Sequence, residues 1–254
     1  MKYINTPNLP KNNVRIAIVD NRAEDEIKRL NMLGIAVIPS TSVSFLDSAI
    51  ASHPDMQICH LGNSSFYTLE AVKKYYEEQI CHLGEFALCE LFNNVHVSTD
   101  AMTKGKLVYP EDCILNCALS DEWVIAHKNN KLFKSFNKSF IGVNQGYAKC
   151  STCIVTENAI ITADKGIAET SQNFGIDVCI VSNNSIRLYG YDNGFIGGCC
   201  GKISEDKLVF FGDVNTHPDC DKIISFCKNH GVECISLTQG NLKDYGSLIP
   251  IIEE

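Results

Sequence analysis

Long apolar runs are missing from this chain. No stretch approaches the ~18 residues that a bilayer-spanning helix needs, so no membrane partner is expected. An excess of positive charge is missing too: 22 Lys and Arg face 30 Asp and Glu, for a net charge of −8. Phosphate binding needs clustered cations, so a nucleic-acid partner is not expected either. The first residues, MKYINTPNLPKNN, lack the apolar h-region of a secretory signal. That predicts a cytoplasmic location, where thiols stay reduced. Tryptophan occurs once, at Trp123 in an apolar strand, and reads as core. Cysteine, by contrast, is abundant: 13 copies, many inside apolar strands (Cys59, Cys113, Cys179, Cys234). There Cys behaves as a small buried hydrophobe, and free thiols are expected rather than disulfides. Length and composition, 254 residues with 45% hydrophobic, fit one large domain or two small ones. The chain's internal repeats favour a single domain over 1–254, with 1–13 an irregular N-terminal arm.

The hexapeptide QICHLG occurs twice, at 57–62 and 79–84. Adjacent Cys and His point to opposite faces of a strand, whereas zinc sites draw on ligands spaced so that turns can converge. Asp55 to Leu61 reads as a strand, with Cys59 on one face and His60 on the other. Neither pair is read as a metal site, and no cofactor is implied. The second copy follows the helix-like TLEAVKKYYEEQ (68–79) and is expected to form the strand after that helix. The tripeptide His-Pro-Asp also occurs twice, at 53–55 and 217–219. Neither copy lies between long basic helices, so the J-domain reading of that tripeptide is set aside.

A longer repetition is more informative. VRIAIVD (14–20), NAIITAD (158–164) and KLVFFGD (207–213) are apolar strands ending in Asp. Each is followed by a polar, helix-like run, a glycine (Gly34, Gly175, Gly231) and a second apolar strand. Glycine suits the left-handed position just past a helix. The third helix is expected to start at Thr216, with Pro218 in its first turn and Asp219 three residues on. CALSDEWVIAHK (117–128), CIVTENAIITAD (153–164) and KISEDKLVFFGD (202–213) align without gaps as strand, polar turn, strand. The unit is therefore ββαβ. At roughly 40–50 residues per repeat, about five fit. Such units bury their faces by packing around an axis, with inner strands lining a central channel.

These features resemble the pentein propeller, the fold of guanidino-group-modifying enzymes. QGYAKCSTCIVTENAIITADKGIAE (145–169), GYDNGFIGGCCGKI (190–203) and LKDYGSLIPI (242–251) resemble an uncharacterised bacterial family assigned to that fold. The resemblance implies an α/β, pentein-like five-bladed propeller of ββαβ repeats around a central channel. The partner it implies is a small polar or cationic molecule, of guanidino or amino-acid-like character. It also implies a Cys nucleophile shortly before a C-terminal Pro, a His in an earlier repeat, and carboxylates that grip the guanidinium. Here the C-terminal stretch is Tyr245-Gly246-Ser247-Leu248-Ile249-Pro250, without Cys, and Tyr147 stands where the His motif would open. Both partners of the usual covalent route are absent from those positions. Whether chemistry follows binding is left open, and a non-catalytic interaction protein is the other alternative.

Candidate site residues follow. Cys150 and Cys199 align between repeats, either as thiols at one rim or as small residues at equivalent tapered positions. They are the candidates for a displaced nucleophile, and Lys149 beside Cys150 is a cation able to lower its pKa. Gly197 and Gly198 either let backbone approach a ligand or make a tight corner. Asp20, Asp164 and Asp213 read either as carboxylates at one mouth or as helix N-caps. Asp20 with Asn21 ranks first among them by family analogy, and Asp244 lies near the expected position of the nucleophile. His127, His217 and His230 read as surface or capping residues.

Overall fold

The computed structural model describes residues 1–82, 92–95, 102–103, 105–182 and 184–254. Its strands recur in one pattern. After a short β1 (Lys2–Tyr3) come β2 (Val14–Val19), α1 (Glu24–Met32) and β3 (Ala36–Pro39). Next are β4 (Ile58–Gly62), β5 (Ser65–Leu69), α2 (Glu70–His82) and β6 (Phe92–Val95), then the short strands β7 (Met102–Thr103) and β8 (Lys106–Leu107). The third group is β9 (Ala118–Leu119), β10 (Trp123–His127), α3 (Lys131–Lys134) and β11 (Ser139–Val143). The fourth opens with one helical turn, α4 (Ala148–Ser151), followed by β12 (Thr152–Thr156), β13 (Ala159–Thr162), α5 (Lys165–Asn173) and β14 (Asp177–Ile180). The last is β15 (Cys200–Ser204), β16 (Lys207–Phe210), α6 (Cys220–Asn229) and β17 (Glu233–Ser236), and the chain ends in β18 (Ile249–Glu253).

Among the described residues, five sheets repeat this connectivity. β5, β10, β13 and β16 each pair antiparallel with the strand before and parallel with the strand after the helix. In the fifth sheet the antiparallel partner of β2 comes from the far end of the chain, β18. β3 joins β2 in parallel. Glu253 ties this sheet to the N-terminal arm by accepting the backbone amides of Lys11 and Asn12 at 2.7 and 2.8 Å. The parallel crossover needs a helix to return the chain, and the helices bury one stripe each, such as Ile223 and Cys227 of α6. Strands with both faces covered are apolar throughout: Val124, Ile125, Ala126, Ile160 and Ile161 are fully buried. β15 lies against both β12 and β18, so the first strands of neighbouring units meet.

The three helix-ending glycines adopt the left-handed conformation expected of them: Gly34, Gly175 and Gly231 have φ of 81°, 78° and 73°. The three gap-free hairpins are also present. Other expectations need correction. Asp55 to Leu61 is not one strand: Pro54–Met56 form a 3-10 turn and β4 begins at Ile58. The second QICHLG copy does not open a strand; Gln79 to His82 finish α2. Ile80 sits one turn beyond Tyr76 on the buried face, so the core holds the helix on past Gln79. Leu83 and Gly84 lie outside the described residues. α6 starts at Cys220, not after Thr216. Val214–Thr216 make a separate 3-10 turn whose cap is Asp213, and Asp219 turns its carboxylate to Ser182 instead. No described helix is long and apolar enough to cross a membrane.

Nothing lies within 4 Å of where a Cβ on Gly175 would sit, so substitution there tests backbone conformation alone. Gly175→Ala is expected to cost about 1 kcal/mol, the strain of a left-handed alanine, read as a lower denaturation midpoint at unchanged m-value.

Candidate functional site

The repeat explains how distant residues meet. Polar side chains cluster just before the first strand of successive units: His53 and Asp55 before β4, Asn116 before β9, Cys150 before β12, and Asp244 and Ser247 before β18. Equivalent segments of different units thus converge on one place. His53, Asp55, Cys150 and Asp244 are between 1 and 4% exposed. Hydrogen bonds join Asp55 and Cys150 to Asn116 and Ser247. The Cys150 thiol donates to Asp55 Oδ2 at 2.9 Å and lies 3.3 Å from Asn116 Nδ2. Asn116 Oδ1 accepts the backbone amides of Lys149 and Cys150, fixing the α4 turn. Ser247 Oγ lies 3.1 Å from Asp55 Oδ2 and 2.9 Å from Gly197 O. Ser247 itself is a non-glycine residue at φ 71°, a strained conformation that its neighbours enforce.

Glycines make room for the acids. A Cβ on Gly198 would lie 1.9 Å from Asp244 Oδ1, and one on Gly194 would lie 2.6 Å from Asp244 Cβ. A Cβ on Gly246 would meet His53 Cβ at 2.4 Å. Gly197 is closed in by backbone, with Lys149 O and Thr152 O both 2.4 Å from its would-be Cβ. The Asp244 carboxylate is pinned by two backbone amides, Phe195 N to Oδ2 at 2.9 Å and Gly246 N to Oδ1 at 3.0 Å.

Burial sets the charge states. It drives Asp244 up to about 7, against the pull of those two amides, and the negative charges of Asp55 and Asp20 push the same way. It drives Asp55 up to about 6, against hydrogen bonds from Cys150 and Ser247 and the charge of Lys149. The Cys150 thiol is pushed well above its ordinary value by burial and then by Asp55 and Asp244. His53 is lowered to about 3 by burial and by the Arg22 guanidinium. Near neutral pH the imidazole is uncharged and the thiol keeps its proton. His53 Nδ1 is 3.9 Å from Asp244 Oδ1, too far for a hydrogen bond, and neither ring nitrogen has a hydrogen-bond partner among the described residues.

His53, Cys150 and Asp244 floor a cavity of roughly 140 Å³ walled by Tyr147, Phe195, Tyr191 and Leu188, and Asp55 sits behind Cys150 without lining it. The Tyr147 and Phe195 rings lie 6.2 Å apart, and the Tyr147 hydroxyl donates to Asp112 at 2.7 Å. Asp244 and Leu188 also line a larger outer cavity of roughly 450 Å³, whose rim carries Arg22, Arg187 and Lys243.

The residues anticipated from sequence divide. Cys150 and Asp244 line the inner cavity, Gly198 cradles Asp244, and Lys149 is buried beside them. Asp20 is fully buried at the edge of the site, where Arg22 grips it through Nε at 2.9 Å and Nη2 at 2.6 Å. Asn21 is exposed and offers its backbone amide to Ser40. Asp164 and Asp213 cap helical turns, accepting the amides of Ile167 and Asn215, and do not join the cluster. Cys199 packs in a separate apolar core and donates its thiol to Ile196 O. From sequence, His53 and Asp55 stand out only as part of the His-Pro-Asp tripeptide that is set aside, and Asn116 and Ser247 are not singled out as site residues. The signal for the first two was present in His53-Pro54-Asp55, since the other copy at 217–219 is tied up locally, with His217 on Ser182 and Asp219.

The fold is similar to that of the pentein structures. Solved structures that align over nearly the whole chain include the amidinotransferase SxtG from Microseira wollei, of the saxitoxin biosynthetic pathway (TM-score 0.57, 9% identity, 97% of this chain and 98% of that one). Agmatine deiminase of C. jejuni aligns with TM-score 0.53 and 8% identity over 92% of this chain and 90% of its own. A Cys-to-Ser variant of that deiminase with substrate bound gives 0.56 and 8% over 98% and 96%. At such identities the likeness concerns the fold alone. The chain belongs to a family of unknown function, DUF6873, whose model matches residues 18–249. No curated protein matches it.

The raised carboxylates carry a stability prediction. Because the folded pKa of Asp55 lies above its ordinary 3.8, protonated Asp55 contributes stability in full below that value, and the contribution is lost as pH rises through about 6. Asn at this position keeps the acceptor for Cys150 and Ser247 and drops the charge. Asp55→Asn is therefore expected to be more stable than the native chain by roughly 2–3 kcal/mol at pH 8, with the gap closing towards pH 4, measured by denaturation at both.

Proposed function

We propose that the chain binds a small cationic molecule, of guanidino or amino-acid-like character, at the centre of five ββαβ units set around a common channel. The observation that carries this reading is the buried carboxylate of Asp244 in a cavity with aromatic walls, with a second buried carboxylate, Asp55, hydrogen-bonded to the cavity-lining Cys150. Carboxylates take cations through paired, charge-assisted hydrogen bonds, and ring faces attract them further. Desolvated acids poised near neutrality gain most when a cation arrives, because its charge restores their ionised form. On the rim of the outer cavity Arg187 suits a ligand whose other end is anionic, as an amino acid's is, whereas Arg22 and Lys243 are already paired with Asp20 and Glu26. The shared fold of an amidinotransferase and an agmatine deiminase agrees with a guanidino ligand.

Agmatine and arginine are the natural probes, titrated by calorimetry at pH 6 and pH 8. Ionisation of Asp244 through about 7 makes binding several-fold tighter at pH 8. Asp244→Asn is expected to weaken it at least tenfold. Absence of binding by either compound at both pH values contradicts the reading.

A second reading, covalent chemistry at Cys150, is favoured by the closeness of His53, whose ring lies with the Cys150 and Asp244 donor atoms within 4.8 Å. Burial opposes a resting thiolate–imidazolium pair, since it disfavours charge on both partners. At neutral pH iodoacetamide is expected to alkylate the half-buried Cys220 and Cys234 before the buried Cys150. Fast, selective alkylation of Cys150, read by mass spectrometry, would favour the covalent route instead.

A further inference from the structure

The inner cavity also assembles an imidazole, a thiol and a carboxylate from three distant parts of the chain. The candidate donor atoms of His53, Cys150 and Asp244 all lie within 4.8 Å of one another. We propose that these three side chains bind a thiophilic divalent cation of the zinc class, with its fourth position open to the cavity. The inference goes beyond the organic cation proposed above and does not depend on it; the two ligands share Asp244 and therefore exclude each other there.

Four observations support the site. First, both nitrogens of His53 are buried and neither makes a well-formed hydrogen bond among the described residues, the Asp244 backbone giving only weak support, although a buried polar group left unpaired costs about 1–3 kcal/mol. A lone-pair acceptor satisfies one of the two directly. Second, the spacing is right for collapse onto an ion. Bonds of ~2.0–2.3 Å in a tetrahedron place donors roughly 3.3–3.8 Å apart. His53 Nδ1 and Asp244 Oδ1, at 3.9 Å, are nearly there. Third, a thiolate and a carboxylate neutralise a dication, so the loaded set has no net charge to bury. Sulfur, nitrogen and oxygen together select zinc or a similar borderline ion over magnesium or calcium, which prefer oxygen alone. Fourth, outer partners hold the donors: Asn116 contacts the Cys150 sulfur, and the amides of Phe195 and Gly246 fix Asp244. On loading, the S–H bond of Cys150 breaks, a sulfur–metal bond forms, and the proton leaves to solvent.

Such a site has no signature of closely spaced ligands, because its donors come from three different units. The adjacent Cys-His pair at 59–60 does not form one: Cys59 faces Cys117 at 3.6 Å, while His60 stacks on Phe66.

The test is a cobalt(II) titration of the full chain, reduced and freed of metal with a chelator, followed by back-titration with zinc. One equivalent of cobalt should produce a thiolate-to-cobalt charge-transfer band and the strong visible bands of four-coordinate cobalt, and zinc should abolish both. Cys150→Ser should remove the charge-transfer band, and His53→Gln should weaken cobalt binding at least tenfold. Wild-type protein without the band overturns the site, as does a full band in Cys150→Ser, which would assign the thiolate to another cysteine. Should Cys150→Ser not fold, undiminished affinity in His53→Gln overturns the site by itself. Agmatine titrations run in chelator keep the two inferences apart: each can fail while the other stands.

Discussion

Everything around the cavity answers to the cost of holding Asp55 and Asp244 away from water. Ionised carboxylates lose several kcal/mol when buried unless charge or hydrogen bonds replace the solvent. Here the replacement is partial. Two backbone amides reach Asp244, a thiol and a hydroxyl reach Asp55, and the pKa values settle at about 7 and about 6. The glycines at 194, 198 and 246 belong to the same constraint, because any side chain there would occupy space that Asp244 and His53 need. The strained backbone at Ser247 belongs to it as well.

This arrangement separates binding from covalent chemistry. A cysteine nucleophile needs a thiolate, and the neighbours of Cys150 are two acids that oppose one. A cation, as proposed, would meet there the Asp244 carboxylate, an uncharged imidazole and aromatic walls. Asp20 illustrates the alternative fate of a buried acid. Arg22 closes on it in a two-pronged pair, and it has no further valence to offer.

The fold was legible in the chain because its grammar is local. Alternation of hairpin, helix and glycine stop is written within each unit, and Gly34, Gly175 and Gly231 mark the same turn three times. Boundaries failed where tertiary packing overrode the local pattern, as when Ile80 drew α2 beyond Gln79. The site was legible only in part. Cys150 and Asp244 stand in stretches singled out by resemblance. His53 and Asp55 do not, and their role arises from which units touch, a fact no single segment encodes. Asp164 and Asp213 were attractive by repetition, yet a strand-ending Asp has a nearer use in capping the helix that follows.

The most direct test of a shared, desolvated acid pair is a pH titration of the side-chain carboxyl groups by carbon-13 NMR, with Asp55→Asn and Asp244→Asn used for assignment. Two carboxyl resonances are expected to titrate near 6 and 7 and to move towards the acid range when a cation is bound. Titration of every aspartate below about 5, as in solvent-exposed acids, would contradict the burial and coupling on which the site rests.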